Sequence, residues 1–312
     1  FYGWLFGIAH FTLANNWIAT AFTYQAEMPA VLGWIAVPLL ALYLAVYPAL
    51  AAAAAHWLGA RMGRGWFALL IGGCWAIAEW LRGWVFTGYA WDPLGLSLLG
   101  GWDRLGTYAL SGLAATIGAA LWFAAVERRW LAAVAAAGLL MVGMWLPAPA
   151  PREGTLAYTL VQPNLRQEEL DDPSKFEEQF QRIARLTERA PRDERRLVLW
   201  PESGVPDYLR DGYPQRYYDQ MTAMADPAFA RRRIGRTIGP GSLLLTGAVD
   251  LEIENGRAAG ARNAVTALTA DGRIVAGYDK AHLVPYGEYL ALRWLLEPLG
   301  LRRLVAGSID FW

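Results

Sequence analysis

Five long apolar segments occupy the first half of the chain, approximately at residues 1–21, 31–58, 66–86, 105–126 and 130–146. A helix that spans a membrane needs roughly 20 mostly apolar residues, and each segment reaches or approaches that length. One such segment could be a buried helix of a soluble protein, but five in succession indicate a membrane region. The first and last segments are the weakest. Glu79 and Arg82, three residues apart in the third segment, are expected to pair.

Charged residues are divided unequally between the two halves. Residues 1–147 contain six Lys or Arg and five Asp or Glu, whereas residues 148–312 contain 22 and 23. Thirteen of the 16 tryptophans also lie in the first half, and indole rings favour the membrane–water interface. We therefore predict a transmembrane helical region at 1–147 and a soluble domain at 148–312, joined by a proline-rich linker. Each half is close to neutral, which argues against nucleic-acid binding.

Basic residues in the short loops predict the orientation in the membrane, because Lys and Arg collect on the cytoplasmic side. Arg61 and Arg64 lie between the second and third segments, and Arg128 and Arg129 lie between the fourth and fifth. Both loops are therefore expected in the cytoplasm. The fifth segment then runs outward and delivers the soluble domain to the periplasmic or extracellular face.

Short strands alternate with amphipathic helices in the second half. Strands are predicted at 155–162, 196–200, 243–248, 263–270 and 273–279. The last two flank Asp271-Gly272, a dipeptide that favours a two-residue hairpin turn. Apolar residues at helical spacing lie between the first two strands, over 176–187. This alternation predicts an α/β domain.

Two short segments carry the residues best suited to catalysis. Glu202 follows an apolar strand, at the position where open α/β sheets place reactive groups. Lys280 ends the last hairpin strand, and Glu288 follows eight residues later. Taken singly, each could be an ordinary surface charge. However, the chain has only two lysines, Lys175 and Lys280, against 26 arginines, so a lysine among apolar neighbours indicates a role that arginine cannot fill.

Six motifs, taken in order along the chain, resemble the apolipoprotein N-acyltransferase family. Its members are bacterial inner-membrane enzymes that join a multi-helix membrane region to a carbon–nitrogen hydrolase (nitrilase-like) domain. The motifs are Ala-Glu-Trp-Leu-Arg-Gly-Trp at 78–84, Trp-Asp-Pro-Leu-Gly at 91–95, Val-Gln-Pro-Asn at 161–164, Trp-Pro-Glu-Ser at 200–203, Leu-Thr-Gly-Ala at 245–248 and the segment 278–289. The resemblance implies an α-helical transmembrane bundle plus an α/β soluble domain built as an α-β-β-α sandwich. It also implies a sequence truncated at both ends.

The resemblance implies roles for particular residues, because the hydrolase superfamily uses a Glu-Lys-Cys triad. Glu202 becomes the general base, Lys280 the lysine of the triad and Glu288 a supporting carboxylate. It implies no metal and no cofactor. Five further residues of the matching motifs become candidates for substrate binding: Asn164, Trp200, Ser203, Tyr286 and Gly287.

The implied reaction takes a fatty acyl chain from a membrane phospholipid, the acyl donor. The chain passes through a cysteine thioester to the N-terminal amine of a diacylglyceryl-cysteine on an apolipoprotein, the acceptor. A carboxylate can take the thiol proton, the thiolate can attack the ester carbonyl, and an ammonium can stabilise the oxyanion. A multi-pass protein of the bacterial inner membrane with its hydrolase domain on the periplasmic side would meet both substrates.

The sequence departs from the family pattern at the nucleophile. The family cysteine follows the lysine motif, whereas no cysteine follows Lys280 in this sequence. Cys74, the single cysteine, lies in a predicted spanning helix, where apolar surroundings suppress thiolate formation. The chain as given is therefore expected to bind without turnover. Two alternatives remain open: a membrane-anchored amidase of the same superfamily, and a non-catalytic relative that binds lipid or lipoprotein.

Overall fold

The chain forms two compact units, Phe1–Arg152 and Glu153–Trp312. The computed structural model describes residues 1–24, 30–86, 88–98, 100, 105–145, 150, 153–170, 172–188, 195–285, 287–290, 292–299 and 311.

The described part of the first unit is helical. Its helices are α1 (Tyr2–Ala14), α2 (Ile18–Ala21), α3 (Val31–Leu44), α4 (Val46–Gly59), α5 (Arg64–Arg82), α6 (Thr107–Val126) and α7 (Trp130–Trp145). Each predicted apolar segment thus contains a helix. Pro48 accounts for the break between α3 and α4, because proline has no N–H to donate to the carbonyl of Leu44.

Two stretches of the described chain are long and apolar enough to cross a membrane. They are Val31–Gly59, with a mean hydropathy of 2.0, and Thr107–Val126, with 1.8. Among the described residues, two of the five predicted spans therefore qualify by length and composition, and the full set of five is not confirmed. Helix α1 is too short, α7 is apolar but short, and α5 carries Arg64, Glu79 and Arg82.

Small residues bring α5 and α6 into close contact. A Cβ atom on Gly72 would overlap the carbonyl oxygen of Gly112 and the hydroxyl of Thr116, so only glycine fits there. Large apolar side chains elsewhere in this unit are exposed, among them Trp34 and Trp122. Exposed apolar surface of this extent is typical of a surface that meets lipid or another protein.

The second unit contains one five-stranded sheet. Its strands are β1 (Tyr158–Leu160), β2 (Leu197–Leu199), β3 (Leu243–Glu254), β4 (Arg257–Thr269) and β5 (Ile274–Asp279), and they lie side by side in this order. Strands β1, β2 and β3 are parallel, whereas β3, β4 and β5 are antiparallel. The accompanying helices are α8 (Gln167–Leu170), α9 (Phe176–Thr187), α10 (Gln215–Met221), α11 (Pro227–Ile238) and α12 (Arg293–Leu296). The α/β prediction for the second half is confirmed.

The two hairpins differ in detail from the predictions. Strands β3 and β4 extend well beyond the predicted limits and are joined by Asn255-Gly256, whose positive φ angles of 50° and 74° suit a tight hairpin turn. Asp271-Gly272 does lie between β4 and β5, but those strands end at Thr269 and begin at Ile274. The connection is therefore longer than the predicted two residues.

One face of the sheet is buried under α9 and α11. Val198, Leu244 and Leu268 are fully buried, and Ile183 and Ile234 pack in the same core. The neighbouring residues in each strand point to the opposite face, which carries Tyr158, Leu160, Leu197, Leu199, Leu243 and Leu245. Tyr158 and Leu160 on this second face are 68% and 72% exposed.

Candidate active site

Glu202 is held at the carboxyl end of the parallel strands, three residues after β2. The amide of Trp200 donates to the carbonyl of Leu245 at 3.0 Å, and the amide of Gly247 donates to the carbonyl of Pro201 at 3.3 Å. These bonds keep the chain beside β3 until just before the carboxylate. The Glu202 side chain is exposed.

Lys280 and Glu288 form an ion pair after β5. Lys280 Nζ lies 2.9 Å from Glu288 Oε1, and the amide of Val284 donates to the other carboxylate oxygen, Oε2, at 2.8 Å. Glu288 is buried, whereas the Lys280 side chain is 34% exposed. The hydrogen bond from Val284 and the ion pair with Lys280 therefore hold the two carboxylate oxygens of Glu288 in place.

Asn263 in β4 connects the two carboxylates. Its side-chain nitrogen Nδ2 donates to Glu202 Oε1 at 2.7 Å and to Glu288 Oε1 at 2.9 Å. Its main-chain carbonyl accepts from the amide of Lys280 at 2.8 Å. Sequence reasoning did not identify Asn263 as a site residue. The sequence feature that could have indicated Asn263 is the presence of an asparagine in a predicted strand, because asparagine is uncommon in strands.

The pKa of Glu288 lies below its ordinary value. Burial alone would raise that pKa, but hydrogen bonds from Asn263, Val284 and Lys280 stabilise the ionised carboxylate and outweigh burial. In the described part of the chain, no ion pair within 4 Å joins Lys280 directly to Glu202. The lysine and the candidate base are instead linked through Glu288 and Asn263.

The predicted substrate-binding residues occupy different environments. Asn164 and Ser203 are exposed after the parallel strands β1 and β2, both with positive φ, at 50° and 55°. Gly287 is half-buried beside Val284 in the turn that carries Glu288. Tyr286 lies outside the described residues.

Trp200 lies in the core of the second unit. It is 5% exposed, its indole N–H donates to Thr187 Oγ1 at 2.9 Å, and its ring packs edge-on against Phe180. These contacts hold the end of β2 in place. Cys74 belongs to α5 of the first unit, where it packs against Tyr47, Ala51 and Ala78.

Over the described ranges, no group of three or more His, Cys, Asp or Glu side chains is arranged to hold a metal ion. What the second unit does bring together is an exposed carboxylate, an ammonium and a buried carboxylate, connected by one amide. These groups can accept a proton and stabilise negative charge on an oxygen.

Two family models match the chain. Residues 159–303 match the model described as carbon-nitrogen hydrolase, a range that includes Glu202, Asn263, Lys280 and Glu288. Residues 1–126 match the model described as apolipoprotein N-acyltransferase N-terminal domain. The second unit is thus a carbon–nitrogen hydrolase domain, and the first is of the kind found in these acyltransferases.

Proteins named apolipoprotein N-acyltransferase are similar to nearly the whole chain. Identity is 32% to the protein of Brucella suis biovar 1 and 31% to that of Allorhizobium ampelinum, each over 97% of this chain. Identity to the protein of Caulobacter vibrioides is 30% over 99% of this chain. The chain is therefore similar to apolipoprotein N-acyltransferases over nearly its whole length. It spans 57% of the length of the first two relatives and 59% of the third.

Proposed function

We propose that this chain contributes the membrane region and part of the active site of an apolipoprotein N-acyltransferase. The observation that carries the proposal is the connected set of Glu202, Asn263, Glu288 and Lys280 within a carbon–nitrogen hydrolase domain. The substrates follow from the family: a membrane phospholipid as acyl donor, and a diacylglyceryl apolipoprotein as acceptor. The resemblance to the family implies that the nucleophile is a cysteine.

In the first half-reaction, Glu202 takes the proton of the cysteine thiol. The thiolate attacks the phospholipid ester carbonyl and forms a tetrahedral intermediate, whose oxyanion is stabilised by the Lys280 ammonium. The intermediate then expels the lysophospholipid alkoxide, which takes the proton from Glu202. A thioester remains on the enzyme, and Glu202 is again ionised.

In the second half-reaction, the N-terminal amine of the acceptor attacks the thioester carbonyl. Glu202 takes the proton that the amine loses, Lys280 again faces the oxyanion, and the carbon–sulfur bond breaks. The proton returns to the cysteine sulfur, so that the products are an amide and the free thiol. Glu288 keeps the ammonium of Lys280 charged and pointed at the reacting oxygen.

Asn164, Ser203, Tyr286 and Gly287 are proposed to line the substrate site. The exposure of Asn164 and Ser203 at the carboxyl ends of β1 and β2 supports direct contact. The burial of Trp200 favours a supporting position for that residue, behind the strand end.

The proposed architecture is an α-helical transmembrane bundle and an α-β-β-α sandwich, with domains at 1–147 and 148–312. The exposed apolar helix surfaces support the membrane region, and the apolar face of the sheet that carries the exposed Tyr158 and Leu160 suits packing against a second sheet. Arg64 and Arg129 both pair with Glu127, so the two basic loops meet at one end of the helical unit. The positive-inside prediction places both loops on the same side of the membrane, and this contact agrees with it. The agreement supports a cytoplasmic location for both loops, and a periplasmic hydrolase domain in an inner-membrane protein.

Acyl transfer from phospholipid tests the proposal. The full-length gene product is incubated with phospholipid, and each cysteine is examined by mass spectrometry for a hydroxylamine-sensitive acyl adduct. We expect the adduct to disappear, and an amine acceptor to gain the acyl chain, when a diacylglyceryl peptide is added. Release of free fatty acid alone would indicate an amidase-like hydrolase, and a cysteine that never acylates would indicate a non-catalytic binding protein.

Glu202→Gln is the informative variant and Glu252→Gln its control. Glu252 is a carboxylate of the same sheet that pairs with Arg262 at 2.6 Å. Loss of acylation in Glu202→Gln alone supports Glu202 as the base, whereas normal acylation in that variant removes the assignment.

A further inference from the structure

We infer that Asn263 is a positioning residue. By binding Oε1 of Glu202, it leaves Oε2 as the oxygen that takes a proton from the cysteine thiol and from the acceptor amine. The inference rests on the proposed function and deepens it. Glu202 Oε1 is already engaged by the Asn263 amide at 2.7 Å, whereas Oε2 has no hydrogen-bond partner among the residues that the structure describes. An oxygen without a donor is the one available to a thiol or an amine.

The amide has no further donors to offer. An asparagine NH₂ group carries two hydrogens, and here one is directed to Glu202 and the other to Glu288. Both carboxylates are therefore oriented by a single nitrogen atom, and neither can rotate without breaking a hydrogen bond to a charged group. Such bonds are stronger than those between neutral partners.

The main chain fixes the position of that nitrogen. Asn263 pairs with Val249 across β3 and β4, and its carbonyl receives the amide of Lys280. One residue thus sets the location of the base, the lysine and the supporting carboxylate together. A shift of β4 relative to β3 would displace all three.

A neutral donor suits this position for an electrostatic reason. Two carboxylates and one ammonium meet here, and the ammonium is paired with Glu288. A lysine or arginine at 263 would form an ion pair with Glu202 and so disfavour its protonation during catalysis. An aspartate would add a third negative charge and disfavour the ionised form of both carboxylates. The other nearby acidic residue, Asp279, pairs with Arg262 at 3.5 Å.

Asn263→Asp tests the inference in the full-length gene product, because it preserves the shape of the side chain while removing both N–H groups. We expect acylation by phospholipid at neutral pH to fall at least about tenfold, the size expected for losing a hydrogen bond to a charged group. The acidic limb of the pH–rate profile should also move upward by about one pH unit. A merely structural role would lower the amount of folded enzyme without moving that limb.

Glu252→Gln is the matched control, and its pH–rate profile should equal that of the unsubstituted protein. Asn263→Ala provides a second variant if the aspartate variant does not fold, since it removes the donors without adding charge. The acidic limb should move in the same direction. An unchanged profile in a folded variant of Asn263 would overturn the inference.

A measurement without turnover separates this inference from the proposed function. The carboxyl carbon of Glu288 is followed by NMR as a function of pH in this chain, with and without Asn263→Ala. We expect its titration midpoint to rise when the donor is removed. If the midpoint shifts but the full-length protein never acylates, only the acyltransferase proposal is refuted. An unchanged midpoint would refute the role of Asn263, whatever the activity.

Discussion

Gly247 in β3 lies directly against the main chain of Glu202. A Cβ atom at position 247 would be 2.8 Å from the Cα of Glu202 and 2.8 Å from the amide nitrogen of Ser203, closer than real Cβ atoms approach such neighbours. Because β3 also pairs with β4, the strand that carries Gly247 sets the separation between Glu202 and Asn263. The absence of a side chain at 247 is therefore part of the geometry of the candidate active site.

Gly247→Ala should consequently impair catalysis more than stability. The added methyl group must displace the main chain at Glu202 and so disturb its contact with Asn263, and overpacking of this kind costs about 1–3 kcal/mol of folding free energy. We expect the rate of cysteine acylation in the full-length gene product to fall at least about tenfold, since a small misplacement of a reacting group can cost much of its effect. Single-turnover acylation measured beside thermal unfolding checks both quantities.

Gly154→Ala is the control for that substitution, because no atom lies within 4 Å of a Cβ placed there. Acylation should be unaffected in this variant. Equal rates for the two alanine variants would mean that the contact between positions 247 and 202 does not position the base.

Lys280→Arg should abolish most acylation, although the charge is conserved. The planar guanidinium is larger than an ammonium and cannot occupy the same point between Glu288 and the reacting oxygen. Lys175→Arg supplies the matched control, because Lys175 is the other lysine of the chain and forms an exposed pair with Glu178. Loss of one oxyanion donor corresponds to about a 10²–10³-fold decrease in rate. Comparable rates in both variants would contradict an oxyanion role for Lys280.

Several features of the second unit could be predicted from the sequence because they depend on local patterns. The presence of five strands, the Asp271-Gly272 turn region and the position of Glu202 after an apolar strand all follow from short-range signals, whereas the strand ends do not. The grouping of Lys280 with Glu288 likewise depends on residues only eight positions apart. The motif resemblance identified these three side chains, and the structure brings them into one connected set.

Long-range contacts could not be predicted in this way. The bond from Asn263 to Glu202 joins residues 61 positions apart, and it depends on the register of β3 against β4, which a sequence pattern does not specify. The inward orientation of Trp200 depends similarly on Thr187 and Phe180 in α9. In the first unit, hydropathy predicts where the helices lie. It does not predict the break at Ala45, which depends on Pro48.

The stability contribution of Glu288 should depend on pH in a defined direction. Its pKa is lowered in the folded protein, so folding favours the ionised form. The contribution is therefore present above the ordinary glutamate value of about 4.3, and is lost as the pH falls through the lower folded value. We expect Glu288→Gln to destabilise the protein by about 1–3 kcal/mol at neutral pH, and by less in acid.

The difference in unfolding free energy between Glu288→Gln and the unsubstituted chain is measured by denaturant unfolding, at pH 7 and below pH 4. Glu252→Gln again serves for comparison, because its exposed pair with Arg262 should contribute about 0–1 kcal/mol. A gap between Glu288→Gln and the unsubstituted chain that widened in acid would contradict the lowered pKa.

The buried pair of Glu79 and Arg82 in α5 gives a prediction for the first unit. These residues are 6% and 2% exposed, and Arg82 Nη2 lies 3.8 Å from Glu79 Oε1. The same carboxylate oxygen accepts from the indole of Trp75 at 3.2 Å and from the amide of Leu94 at 2.9 Å, and so holds the segment after α5 against the helix. The guanidinium also lies over the ring of Phe11, 4.9 Å from its centre.

Replacing one member of this pair should therefore be more harmful than replacing both. Arg82→Met leaves a buried carboxylate without its counter-charge, and such a loss costs about 3–5 kcal/mol. The double variant Glu79→Gln with Arg82→Met removes both charges, while the amide oxygen of glutamine can still accept from Trp75 and Leu94. We expect it to unfold in detergent at a temperature between those of Arg82→Met and the unsubstituted chain. A double variant less stable than Arg82→Met would show that the two side chains act independently.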